Sequence, residues 1–149
     1  MADIFTKEKR SEIMSKIRSK NTKLELVVFR FLRAHGVYFQ KHYRGCRGTP
    51  DIAVPSRKAA VFIDGDFWHG YRYPAWRHKM KRGFWREKIE RNRARDKRNF
   101  AALRRDGWRV LRVWEHEIKK DPFGALVRVQ EFLEKKEGVA AVAIEGVRH

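Results

Sequence analysis

A chain of 149 residues with 42% hydrophobic and 13% aromatic residues is long enough for one domain with a buried core, which excludes wholesale disorder. Its 36 Lys and Arg against 18 Asp and Glu leave a net charge of +18, a self-repulsion that a polyanionic partner offsets. The single cysteine, Cys46, excludes an internal disulfide and a Cys-cluster zinc site, apolar runs such as Ala59–Ile63 are too short to span a bilayer, and Met1–Ser11 holds no secretory h-region, so a soluble cytoplasmic protein is expected.

Along the chain, residues 7–19 predict a short helix with a narrow apolar stripe of Ile13, Met14 and Ile17. Thr22-Lys23-Leu24-Glu25 has the form of a capping box. The helix it opens carries Leu24, Val27, Val28, Phe31 and Leu32 on one face and stops at Gly36. Val37–Gln40 predicts a strand, and Arg44–Pro50, with two glycines and a proline, a loop. Asp51–Val54 and Ala59–Asp64 read as two strands joined by the turn Pro55–Lys58, an antiparallel hairpin. Gly65–Arg82 is irregular. A long helix follows from Phe84 to Asp106, with Trp85, Ile89, Phe100 and Leu103 inward and Gly107 as its stop. Trp108–Trp114 predicts a strand, and Asp121-Pro122 caps a last helix through about Lys136. The segment after Gly138 is weakly patterned and expected to be a flexible tail. The order α-α-β-β-β-α-β-α predicts a single α/β domain over 1–149, with one mixed β-sheet flanked by helices.

The basic residues are concentrated. Arg77–Arg109 holds 14 Lys or Arg and four Asp or Glu, a net +10 in 33 residues, interleaved with Trp76, Phe84, Trp85 and Phe100. Cations that pair with phosphates and flat rings that stack on bases point to nucleic acid. A membrane surface is the alternative, but no strongly apolar amphipathic face supports it.

Carboxylates stand out against this background. Asp51 opens one hairpin strand, Asp64 closes the other, and Asp66 and His69 follow in the loop. Adjacent hairpin strands bring Asp51 and the 63–64 region together. Hard oxygen ligands among cations suit a Mg²⁺ ion on a phosphodiester, and an imidazole nearby can deprotonate the attacking water. Singly, each has a plainer reading: Asp51 as a strand-edge residue, Asp64 as a cap for the Gly65 loop, Glu25 as the N3 member of the Thr22 box, His69 as a packed or surface histidine. Cys46 is given no role.

Together these blocks are more specific. Arg10-Ser11-x-x-Met14-x-x-Ile17, Thr22-x-x-Glu25, Gly48-x-Pro50-Asp51, Val61-Phe62-Ile63-x-Gly65-x-Phe67-Trp68-His69, Phe84-Trp85-x-x-Lys88-Ile89-x-x-Asn92-x-x-Arg95-Asp96 and Gly107-Trp108-Arg109-Val110-Leu111-x-Val113-Trp114-Glu115 resemble the very-short-patch repair endonuclease family, within the PD-(D/E)xK nuclease superfamily. The resemblance implies a restriction-endonuclease-like core and Mg²⁺-dependent nicking of one DNA strand beside a T:G mismatch. It implies Asp51 as the central metal ligand, the main-chain carbonyl of Ile63 as a second, His69 as the group activating water, Asp96 as its supporting acid and Glu25 as an acid near the metal-bound waters. Phe67, Trp68 and Trp85 resemble the family's aromatic wedge, and Met14, within a DNA-contacting helix at residues 1–20, the element inserted from the other groove. Lys88, Asn92 and Arg95 are the expected DNA contacts on the long helix.

The chain also departs from the pattern. Where typical members bind a structural zinc, it carries Asp66, Tyr71, Tyr73 and Glu117, so the zinc is expected to be absent and the loop held by Tyr and Trp packing. Ile63-Asp64 replaces a Thr-His pair, and Asp64 then offers a further carboxylate to metal or proton transfer. Asp64-Gly65-Asp66 lacks the superfamily lysine. The reading is a monomeric, nucleoid-associated nuclease acting on mismatched duplex DNA. The alternatives are the same nuclease acting on other or foreign DNA structures, and a DNA-binding protein without catalysis.

Overall fold

The computed structural model describes residues 6–18, 23–67, 69–80 and 83–135, with side chains left out for 13–18. Six helices and four strands are seen among them: α1 (Lys7–Arg18), α2 (Leu24–Ala34), β1 (Gln40–Lys41), β2 (Ile52–Val54), β3 (Ala59–Asp64), α3 (Tyr73–Trp76), α4 (Phe84–Arg105), β4 (Arg109–Trp114), α5 (Glu115–Lys120) and α6 (Pro122–Glu134). The strands form one sheet in the order β1-β2-β3-β4. The predicted hairpin is present: β2 and β3 are antiparallel, with Ile52 opposite Val61 and Val54 opposite Ala59. β3 then pairs in parallel with β4, Ile63 opposite Val113 and Asp64 opposite Trp114, so α4 lies in the crossover between them.

Helices cover both faces of the sheet. One face carries the larger core, in which Val28, Phe31 and Leu32 of α2 and Leu126, Val129 and Leu133 of α6 pack on Ile52, Val61, Leu111 and Val113. The other packs Ala60, Phe62 and Val110 against Phe100 and Leu103 of α4. A central strand buried on both faces is apolar at nearly every position, and this makes β3 conspicuous in the sequence. The two-residue alternation has a second effect. It aims Asp64 of β3 and Arg112 of β4 at α4, on the same side as Ala60, Phe62 and Val110.

Helix ends follow the expected chemistry. After α4, Gly107 takes φ 87°, its N–H reaches the Arg104 carbonyl at 3.0 Å, and the Trp108 N–H reaches that of Leu103 at 2.9 Å. α2 closes in the same way at Gly36, where the Val37 N–H donates to the Leu32 carbonyl at 2.9 Å. Asp121 caps α6 by accepting the Gly124 N–H at 3.2 Å.

Four expectations change. β1 is shorter and later than Val37–Gln40, because Val37 and Phe39 pack onto the core instead of pairing in the ladder. The N-cap of α2 is Lys23, without a side-chain cap, so Glu25 sits in the first turn rather than at N3 of a box, and Thr22 lies outside the described residues. Gly65–Arg82 contains the one-turn α3 and a 3-10 turn at Arg77–Lys79. α5 was not foreseen, since Glu115-His116-Glu117 has no apolar period and Ile118 is its sole buried residue. The tail after Gly138 lies outside the described residues.

Candidate active site

The C-terminal end of β3 organises two clusters on consecutive residues. The first gathers Asp51, Glu25 and His42. Asp51 stands just ahead of β2, where the ladder to β3 has ended, and its Oδ2 accepts the Ile63 N–H at 2.7 Å. Glu25 comes from the first turn of α2. His42 lies just past β1, with φ 47° and its N–H on the Asp51 carbonyl at 3.0 Å. Its ring spans the acids: Nε2 is 3.9 Å from Glu25 Oε1 and Nδ1 4.0 Å from Asp51 Oδ1. Ligand atoms of all three lie within 4.8 Å of one another.

Burial pushes the Asp51 carboxyl up from its ordinary 3.8 to about 6; the Asp64 and Glu25 charges add to this, while the Ile63 hydrogen bond and His42 oppose it. The carboxylate is therefore under-compensated by the protein itself. Two acids and an imidazole around a poorly compensated charge are a donor set that fits a divalent cation.

The second cluster gathers His69, Asp96, Asp64 and Arg112. His69 Nδ1 is 2.7 Å from Asp96 Oδ2, on the buried stripe of α4, and Nε2 is 3.4 Å from Asp64 Oδ1. Arg112 donates through Nε to Asp64 Oδ2 at 2.8 Å and through its terminal nitrogen to Asp96 Oδ2 at 2.7 Å. The Trp114 and Phe100 rings lie 4.1 and 5.1 Å from its guanidinium carbon. Burial raises the Asp64 carboxyl pKa and outweighs His69 and Arg112. Burial also acts upward on Asp96, but there the hydrogen bonds and charges of His69 and Arg112 win and hold the carboxyl below its ordinary value. Asp64 thus joins the histidine cluster, not the Glu25–Asp51 cluster.

A cleft of about 430 Å³ runs alongside, lined by Lys23, Glu25, Ile63, Asp64, Phe67 and Glu115 among others. Aromatic groups stand near its rim and at the start of α4. Phe67 is 45% exposed and stacks on Trp76 at 5.9 Å, and Trp85 is 53% exposed in a T-shaped contact with Phe84. Trp85 was expected to face inward with Ile89 and Leu103, and is instead about half exposed. Lys88 and Asn92 are half-buried and Arg95 exposed, on one flank of α4. Trp68 and the Met14 side chain lie outside the described residues.

The loop after β3 has its own internal packing. Tyr71 lies against Trp114 at 5.0 Å and His116 at 4.2 Å, and Trp76 Nε1–H donates to the Tyr71 carbonyl at 2.8 Å. Tyr73 is buried with its hydroxyl on Glu90, Asp66 is 2.8 Å from His116 Nδ1, and Glu117 pairs with Arg128 at 2.9 Å. Sequence reasoning missed His42, Arg112, Lys23 and Glu115. Arg112 had a signal, since an arginine within an apolar strand must find buried acids. His42 had none, because strand pairing alone brings it to Asp51.

Comparison with known proteins decides the family. The family model for the DNA mismatch endonuclease Vsr matches residues 2–74. The chain is 42% identical over 123 residues to the type II nicking enzyme V.XorIIP of Xanthomonas oryzae pv. oryzae, covering 79% of this chain and 88% of that one. The chain belongs to the Vsr endonuclease family. It is 35% identical over 140 residues to the type II nicking enzyme V.NmeDIP of Neisseria meningitidis, covering 93% of this chain and 95% of that one. With the DNA mismatch endonuclease Vsr of Escherichia coli it shares 36% identity over 124 residues, covering 80% and 77%. This Vsr-family chain is therefore a DNA endonuclease, a hydrolase of phosphodiester bonds, on a mixed α/β fold in keeping with that family. Among the described residues no helix is long and apolar enough to cross a membrane.

Proposed function

We propose that this endonuclease nicks one strand of duplex DNA at a T:G mispair, with a divalent cation, Mg²⁺ as the expected ion, held by Asp51 and Glu25. The observation that carries the reading is the placement of an oxygen-rich cluster and a carboxylate-oriented histidine on consecutive residues of β3, Ile63 and Asp64. The N–H and C=O of a strand residue point to the same side. Because the Ile63 N–H meets Asp51, the Ile63 carbonyl is directed to that side too and would supply a third oxygen. When bound, the cation polarises the phosphoryl oxygen and lowers the cost of forming hydroxide.

The remaining work falls to side chains. Asp96 holds the Nδ1–H of His69, which leaves Nε2 to take the proton of the attacking water. Once protonated, the ring lies between two carboxylates, Asp64 and Asp96, whose charges Arg112 alone does not balance. Phe67 and Trp85, large apolar rings in water, would press into the base stack, and a mispaired step unstacks at lower cost than a matched one. Lys88, Asn92 and Arg95 would line the DNA beside Trp85. The relatives named as a mismatch endonuclease and as nicking enzymes support this reading. So does the +18 charge of the chain, acting as a monomeric nuclease domain in the cytoplasm.

The test is a strand-resolved nicking assay on an end-labelled duplex with one T:G pair and on its T:A twin, with Mg²⁺ or EDTA. The expected result is a Mg²⁺-dependent nick confined to the T strand of the mispaired duplex and lost in Asp51→Ala. Equal cutting of both duplexes, or an unchanged rate in Asp51→Ala, would overturn it.

A further inference from the structure

On the far flank of α4 a cavity of about 840 Å³ lies between that helix, the loop after β3 and β4. Arg72, Arg77, Arg93, Lys97, Arg104 and Arg112 line it. The acid among the described lining residues is Glu90, already engaged by the Tyr73 hydroxyl at 3.0 Å and facing Arg86 at 3.9 Å. Arg112 is spent on Asp64 and Asp96. Among the described residues no carboxylate lies within 4.0 Å of the side-chain nitrogens of Arg72, Arg77, Arg93, Lys97 or Arg104, and the buried Arg104 Nε has no hydrogen-bond partner.

Five uncompensated cations around one cavity repel one another and stand ready for an anion. Aromatic faces fix two of the guanidinium groups: Arg93 lies over Tyr73 at 5.5 Å and Arg72 over Tyr71 at 5.4 Å. The stem of Arg93 crosses the backbone beside His69 at Gly70, which has φ 68° and where an added Cβ would stand 2.6 Å from Arg93 Cδ. At 3.6 residues per turn, Arg93, Lys97 and Arg104 lie within roughly 40° of one another and about 150° round the helix from Lys88, Asn92 and Arg95. The buried stripe of Ile89, Asp96, Phe100 and Leu103 runs between the two rows.

We propose that this cavity is a second phosphate-binding site, which seats backbone phosphates of the bound DNA on the flank of α4 opposite the Lys88–Asn92–Arg95 row. The proposal rests on DNA as the substrate and not on the mispair as its target. The site reads no bases. It anchors the strand and keeps His69, one of its lining residues, in register with the phosphate to be cut.

The test is the full chain with Arg93→Gln and Lys97→Gln combined, measured in EDTA by fluorescence anisotropy on matched and T:G duplexes between 50 and 200 mM salt. Two lost phosphate contacts lower the slope of log K against log salt by about 1.8 and weaken both duplexes alike. Single-turnover nicking at saturating DNA slows as well, because the strand is held less firmly in register with His69. Arg93→Lys, which keeps the charge, restores most of the affinity and shows that lost binding is not lost folding. Unchanged affinity and slope in the double variant would overturn the proposal. So would inorganic phosphate binding to the wild type, and not to the double variant, while duplex affinity stays the same: the cavity would then serve a free anion. A wild type that shows no preference for T:G over T:A sinks the mismatch reading and leaves this test in force.

Discussion

Replacing Asp51 by Asn should abolish nicking and yet stabilise the metal-free protein. The Asp51 carboxyl is raised from 3.8 to about 6, chiefly by burial. At about 1.4 kcal/mol per unit that rise corresponds to about 3 kcal/mol of unfavourable charge at neutral pH. With 21% of the side chain in contact with solvent, a discounted value of about 2 kcal/mol is the better expectation. Asn keeps an oxygen for the Ile63 N–H and carries no charge. Between pH 3.8 and 6 the folded wild type binds more protons at this site than the unfolded chain, so its stability falls as pH rises through that window and levels off above it. Thermal unfolding in EDTA should therefore put Asp51→Asn roughly 4–8 °C above wild type at pH 7.5. The gap should close towards pH 4. Added Mg²⁺ or Mn²⁺ should raise the wild type and leave the variant where it was. A variant no more stable than wild type at pH 7.5, or a gap independent of pH, would refute the burial argument.

Arg112→Met should cost on the order of 3 kcal/mol and most of the nicking rate, because two buried carboxylates around His69 lose their shared cation; denaturant unfolding and single-turnover cleavage check both, and Arg112→Lys, with one donor group in place of a fork, should fall between. Trp85→Ala should leave stability within about 0.5 kcal/mol, since the ring is 53% exposed, but lower cleavage of a T:G duplex more than binding to a matched one, as read by anisotropy and single-turnover nicking.

The elements that were legible in the sequence are those whose burial imposes a period or whose ends need special chemistry. β3 showed as an apolar run because helices cover both of its faces, and α4 showed through Ile89, Phe100 and Leu103 and the glycine that ends it. Asp51 and His69 were singled out because acids and an imidazole among so many cations ask for a reason. Their partners were harder to see. Arg112 and Asp64 meet because both fall on the α4 side of adjacent parallel strands, and that needs the register, which no local pattern in either strand contains. His42 depends on a strand two residues long. The Glu25 carboxylate is where the start of α2 puts it, and Lys23 at the N-cap moved it from the position a Thr22 box would give.

Trp85 shows the same limit in a more useful form. Its helical phase matches Leu103 and Asp96, which are buried, so periodicity placed it inside. It stays exposed because it belongs to the first turn of α4, while the residues of α4 that meet the sheet core, Phe100 and Leu103, lie at the other end. A tryptophan on the inner phase of a helix that stays 53% exposed leaves apolar ring surface for a further partner to cover. Under the proposed function, the open base stack of a substrate would be that cover: apolar, flat, and available where the pairing is weak. On the proposed function, this mismatch between helical phase and burial is where packing would meet the choice of substrate, and neither the sequence pattern nor the active-site cluster shows it alone.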